Sequence, residues 1–145
     1  MILTEHFSLH EFTRSQVAAR KKIKNTPDMA TIERMRRLCH YVLEPCRQHF
    51  KSPVIITSGY RSTYLNRAIG GAKGSQHVLG EAADIWVVGK TNREVFEWIF
   101  KNVEFDQLIY EYPGSSGWVH VSYTAGDNRQ EALVYDGRKY DTWPS

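Results

Sequence analysis

Helical patterning comes first in this chain and strand patterning comes later. Ile32, Met35, Leu38, Cys39, Val42, Leu43 and Cys46 recur at the spacing of one helix face. After residue 50 the apolar residues fall mostly into short β-branched runs bounded by turn signals: Pro53–Thr57, Ala82–Val88, Phe105–Tyr110 and Trp118–Tyr123. A parallel sheet needs strands and helices to alternate throughout. Helices followed by strands instead predict an α+β fold, with N-terminal helices packed on a central, mostly antiparallel sheet.

Local signals place the helix ends. Ser8 and Glu11 form a capping box that starts a helix expected over Ser8–Arg20. Thr26, as N-cap before Pro27, starts the long helix that reaches Phe50. Pro45 predicts a kink or break near Val42–Glu44. A small helix is expected over Thr63–Ile69, followed by a Gly-rich loop over Gly70–Ser75. Thr91 and Glu94 cap a further helix to Asn102. Tyr112-Pro113-Gly114-Ser115-Ser116-Gly117 is a turn, and Asp136-Gly137 predicts a two-residue hairpin between Ala132–Tyr135 and Arg138–Tyr140.

The chain has 145 residues, of which 41% are hydrophobic, enough for one domain over residues 1–145 with its own core. With 19 Lys and Arg against 16 Asp and Glu, the +3 charge does not call for a nucleic-acid partner. No apolar run is long enough to insert in a membrane. The N-terminus has neither the basic nor the apolar region of a Sec signal peptide. The expectation is a chain that is cytoplasmic as synthesised, for which action outside the membrane would need some other route. A monomer is the default. Cys39 and Cys46 are seven residues apart in a helix, about 10.5 Å, beyond the roughly 7 Å reach of a disulfide. They read as reduced, partly buried thiols.

Chemistry concentrates in Ser75–Asp84. His77 and Asp84 stand seven apart with Gly80 between them, so the segment can turn and enter a strand with both side chains converging on one ion. Imidazole nitrogen and carboxylate oxygen both suit zinc, and a catalytic site needs a third protein ligand. His120 is the best candidate. In a strand, Trp118, His120 and Ser122 share one face, and the flanking valines Val119 and Val121 share the other. No Gly-x-Ser-x-Gly elbow supports a serine nucleophile.

Ser75-x-His77-x-x-Gly80-x-Ala82-x-Asp84 resembles the Ser-x-His-x-x-Gly-x-Ala-x-Asp motif of the M15 group, the zinc D-Ala-D-Ala carboxypeptidases and related peptidoglycan peptidases. Trp118-x-His120 resembles the group's second motif, and Ser58-Gly59-Tyr60-Arg61-Ser62 followed by Asn66 resembles its upstream segment. The resemblance covers about Pro53 to Tyr123 and extends loosely to the N-terminal segment, which is similar to small phage and prophage members. It implies zinc held by His77, Asp84 and His120, and a fold shared with the Hedgehog signalling domain. It also implies cleavage of D-amino-acid-containing peptides in bacterial cell walls, as a carboxypeptidase or as an endolysin-type endopeptidase, and is compatible either with release to the wall by a phage-type export or lysis route or with a cytoplasmic peptidase.

Amide hydrolysis needs a nucleophile, a base and oxyanion stabilisation. Zinc lowers the pKa of bound water to about 7 and polarises the scissile carbonyl. Arg61 stabilises the oxyanion or clamps a substrate carboxylate. Many family members carry a glutamate three residues before the last histidine, where this chain has Gly117. Glu111 is the replacement base, since it ends one strand of the hairpin that leads to Trp118; Asp106 and Glu81 are the runners-up. Ser75, Trp118 and Tyr60 are expected at the substrate, Ser75 as an orienter of the metal segment and Trp118 lining the cleft or covering core. The missing glutamate also keeps open a non-catalytic cell-wall or phage-particle binding module that retains a structural zinc.

Overall fold

A computed structural model describes residues 1–114 and 116–144. It opens with a small hairpin, β1 (Ile2–Thr4) and β2 (Phe7–Ser8), followed by α1 (Leu9–Thr13) and α2 (Gln16–Lys21). The long helix comprises α3 (Met29–Leu38), a π-helical segment (Cys39–Leu43) and α4 (Glu44–Phe50). Then come β3 (Val54–Ser58), α5 (Thr63–Ala68), α6 (Gln76–Leu79), β4 (Ala82–Val87) and α7 (Asn92–Asn102). The remaining strands are β5 (Gln107–Glu111), β6 (Trp118–Ser122), β7 (Glu131–Tyr135) and β8 (Tyr140–Thr142). The six-stranded sheet has the order β3-β4-β6-β5-β7-β8. Every neighbouring pair is antiparallel except β5 and β7. This is the expected α+β architecture. No helix among the described residues is long and apolar enough to cross a membrane.

Several local expectations are corrected. The helix expected over Ser8–Arg20 is two helices. Arg14 is extended, and the Ser15 side chain caps α2 by accepting from the Ala18 N–H. A mid-helix serine that can satisfy a free N–H competes with helix continuation, and here it wins. The N-terminal hairpin was not foreseen, because strands this short carry too few residues to show a period. The long helix begins at Asp28, whose carboxylate accepts from the Thr31 N–H (2.8 Å), leaving Thr26 and Pro27 outside it. It does not break at Pro45. The Glu44 N–H reaches back five residues to the Cys39 carbonyl, and this wider turn accommodates the proline within a helix that continues to Phe50. Asp136-Gly137 is not a two-residue turn. The Asp136 carboxylate accepts from the Arg138 and Lys139 N–H groups (2.8 and 2.9 Å), so the connection lengthens and β8 starts at Tyr140. Of the turn predicted before Trp118, Ser115 lies outside the described residues.

The sheet has two unlike faces. Ala83, Ile85 and Val87 of β4, Val119 and Val121 of β6, Leu108 of β5 and Ala132 of β7 belong to one buried core with α3, the π segment, α4 and α7. Cys39 and Cys46 lie in that core, and among the described residues neither forms a disulfide. Burial pushes the Cys46 thiol up to about 12. Period two then turns Asp84, His120 and Ile109 to the opposite face. Phe12 of α1 is fully buried and ties the helical layer to the segment after β3, its carbonyl accepting from the Tyr60 N–H (2.8 Å).

Phe12→Ala is expected to lower stability by about 3–5 kcal/mol, read from denaturant unfolding. A loss well under 1 kcal/mol would show that α1 is not integral to the core.

Candidate metal centre

The sheet register carries the centre. Asp84 of β4 lies between Ser58 of β3 and His120 of β6 in directly paired positions. His77 reaches the same point from α6, a single helical turn. Ser75 starts that turn by accepting from the His77 N–H (3.2 Å). Gly80 ends it at φ +78, in the left-handed region, where a Cβ would also lie 2.8 Å from the Thr31 carbonyl. Glycine is therefore required at Gly80 both for the backbone conformation and for the close approach to α3.

His77 is oriented from behind. Its Nδ1 donates to the Gly59 carbonyl (2.7 Å), so Nδ1 carries the proton and Nε2 presents its lone pair to the centre. Gly59 makes this possible, since a Cβ there would lie 2.7 Å from the Phe12 Cα.

Two imidazoles converge on one carboxylate oxygen. His77 Nε2 is 3.3 Å and His120 Nδ1 3.0 Å from Asp84 Oδ1. One donor atom from each of the three residues lies within 4.8 Å of the others, and all three residues are buried. Arg61 Nη2 is 3.5 Å from the other oxygen, Asp84 Oδ2. Burial opposes the charge on Asp84, but His77 and His120 outweigh it and hold the carboxyl well below the usual carboxylate range. The second His120 nitrogen, Nε2, is buried and has no hydrogen-bond partner among the described residues. Two imidazoles and a carboxylate gathered within 4.8 Å in a buried setting fit a metal centre. This borderline N, N, O donor set suits zinc.

Arg61 is held in place by more than Asp84. Its Nε donates to Ser58 Oγ (3.1 Å) and its Nη1 to Asn66 Oδ1 (3.2 Å), while Asn66 in turn donates to the Ala72 carbonyl (3.0 Å). Glu111 enters the same cleft from the end of β5. It is paired in register with Trp118, whose indole Nε1 donates to Glu111 Oε2 (2.9 Å). Burial pushes the Glu111 carboxyl up and Asp84 adds to that; His120, Trp118 and Arg61 pull it back without cancelling the rise. A Cβ on Gly117 would lie 1.9 Å from the Glu111 carbonyl. Position 117 thus cannot hold a side chain in this hairpin.

The centre opens into a cleft of about 390 Å³ whose lining includes Arg61, Ser75, Glu111 and Trp118 with His77, Asp84 and His120. Tyr60 is not in that lining. It packs against the core and borders a separate cavity with Arg14 and Leu65. Asp106 is engaged elsewhere, accepting from Arg129 Nε (3.1 Å), Nη2 (2.8 Å) and backbone N–H (3.0 Å). Glu81 accepts from Gln76 Nε2 (3.2 Å). Sequence reasoning missed Tyr140, which lines the cleft, and Trp86 of β4, which lines an adjoining cavity that shares Arg61, Asp84 and Trp118 with it. Period two from Asp84 could have found Trp86. Tyr140 had no local signal.

A family model described as Peptidase M15 matches residues 5–122. Over 78 residues the chain is 32% identical to the zinc D-Ala-D-Ala carboxypeptidase of Streptomyces albus G, a match covering 53% of this chain and 29% of that one. The matched segment therefore spans under a third of the relative's length.

His77→Ala, Asp84→Ala and His120→Ala are each expected to lower bound zinc, measured by elemental analysis of purified protein. Full zinc content in all three would remove the site. Gly117→Glu is expected to destabilise the protein by more than about 1 kcal/mol, since its side chain must displace backbone. An unchanged melting temperature would contradict the steric reading.

Proposed function

The chain belongs to the M15 peptidase family, and on that premise we propose that it is a zinc-dependent hydrolase of peptide bonds in peptidoglycan stem peptides, acting through one domain across residues 1–145. The observation that carries this reading is the three-donor centre placed in one cleft with a half-buried glutamate and a fixed arginine. His77, Asp84 and His120 would hold the zinc. When bound, zinc supplies Lewis acidity that polarises the scissile carbonyl and makes water a better acid.

The chain's own groups do the rest. Glu111 Oε2 is occupied by the Trp118 indole, which leaves Oε1 to take a proton from the attacking water and pass it to the departing amine. Its raised pKa brings it closer to neutrality and so to both halves of that task. Arg61, held by Ser58, Asn66 and Asp84, stabilises negative charge on the carbonyl oxygen or holds a substrate carboxylate. Ser75 keeps His77 in place through the cap of α6. The burial of Glu111 within the cleft favours catalysis over the non-catalytic zinc module that Gly117 kept open.

Mass spectrometry of peptidoglycan incubated with zinc-loaded protein, beside a chelated control, tests this. Metal-dependent release of free D-alanine identifies a carboxypeptidase. Loss of crosslinks or of stem fragments identifies an endopeptidase. No product from several wall chemistries, with zinc confirmed bound, overturns the proposal. Glu111→Gln is expected to lower turnover by at least about 100-fold while zinc content stays at the wild-type level. A Glu111→Gln protein with full activity would remove Glu111 as the base.

A further inference from the structure

The mechanism leaves one part of the cleft without a task. Trp86 and Trp118 sit on the open face of the sheet, two residues from Asp84 and His120 on β4 and β6. They follow directly on the Ile85–Val119 register pair, so they are the next cross-strand neighbours. Both line a second cavity of about 580 Å³ that shares Arg61, Asp84 and Trp118 with the metal cleft. Trp86 is 40% exposed, although a large apolar ring gains free energy by leaving water. Trp118 is held by its bond to Glu111 and by packing against Tyr112, ring centroids 5.3 Å apart.

The two halves of the cleft differ in chemistry. On the far side of the metal centre the lining is rich in charge: Lys73 and Glu111 belong to it, with Arg129 paired to Asp106 at 2.8 Å. On the tryptophan side, Arg61 and Asp84 are the charged residues of the lining, and they neutralise each other at 3.5 Å. The rest of that lining is aromatic or aliphatic, with the hydroxyl residues Thr57, Ser58 and Ser116. An uncharged surface of flat rings edged by hydroxyls matches a pyranose. The C–H face of a sugar ring is apolar and stacks on an indole, while its rim of hydroxyl and acetamido groups needs polar partners.

We propose that Trp86 and Trp118 form a sugar-stacking subsite beside the metal centre, which holds an N-acetylated pyranose of the glycan strand while the attached stem peptide crosses the site. This rests on the reading of the chain as a peptidoglycan peptidase and narrows it to stems still joined to their glycan.

Two measurements test the subsite. In the first, the β-1,4-linked tetramer of N-acetylglucosamine is titrated into zinc-loaded protein and followed through the indole N–H signals in NMR. The Trp86 and Trp118 signals are expected to shift, and Trp86→Ala to weaken binding by about tenfold. No shift of either indole at millimolar sugar overturns the proposal, as does equally tight binding by a folded Trp86→Ala protein. In the second, kcat/KM is compared between a sugar-linked stem peptide and the free peptide. The wild-type protein is expected to prefer the sugar-linked form, and Trp86→Ala to reduce that ratio by about tenfold. Equal rates on both substrates overturn it. Sugar binding without any peptide hydrolysis would refute the peptidase reading and leave the subsite standing. Hydrolysis indifferent to the sugar would do the reverse.

Discussion

A buried carboxylate needs partners on every side, and Asp84 has them. His77 and His120 face Oδ1 and Arg61 faces Oδ2. Removing one partner from a buried charge costs about 3–5 kcal/mol, so the surrounding elements are constrained together. The Asp84 side chain meets its partners only if β3, β4 and β6 keep their register and α6 delivers His77 to the open face. A slip of one residue in β4 would send Asp84 into the apolar core and Ile85 into the cleft.

Three glycines make that convergence sterically possible, each for a different reason. Gly59 lets the chain pass against Phe12 so that its carbonyl can orient His77. Gly80 closes α6 in a left-handed conformation against Thr31. Gly117 brings the β5–β6 connection close to the Glu111 carbonyl. This last contact has a chemical consequence. The turn that excludes a side chain at Gly117 is the one that sets Glu111 opposite Trp118, which brings a carboxylate into the cleft from the end of β5.

The open face is organised in rows by the same register. One row carries Asp84, His120 and Ile109. The next carries Trp118, Glu111, Tyr135 and Tyr140 in successively paired positions. Glu111 is the single carboxylate in an otherwise aromatic row, and the desolvation of that row raises its pKa. One strip of sheet thus carries both a carboxylate of raised pKa and a wall of aromatic rings.

Much of this was legible in the residues. The order of helical and strand patterns determined the fold class, because period and side-chain direction are local properties of the backbone. The seven-residue spacing of His77 and Asp84 with Gly80 between them pointed to their convergence, and strand period two put His120 on the same face. The placing of Glu111 beside Trp118 followed from hairpin geometry. Other features depended on competition between distant or finely balanced interactions. Ser15 split a helix that continuous patterning suggested, and a π turn kept whole the helix that Pro45 was expected to break. Tyr60, expected at the substrate, packs against the core beside Phe12, whose carbonyl accepts from its backbone N–H. Tyr140 reached the cleft only through the pairing of β7 with β8, a contact no local pattern announces. The sequence alone determined which groups have the chemistry and which face of each strand they occupy. Only the tertiary structure decided which of them meet, because meeting depends on strand order and close backbone approach.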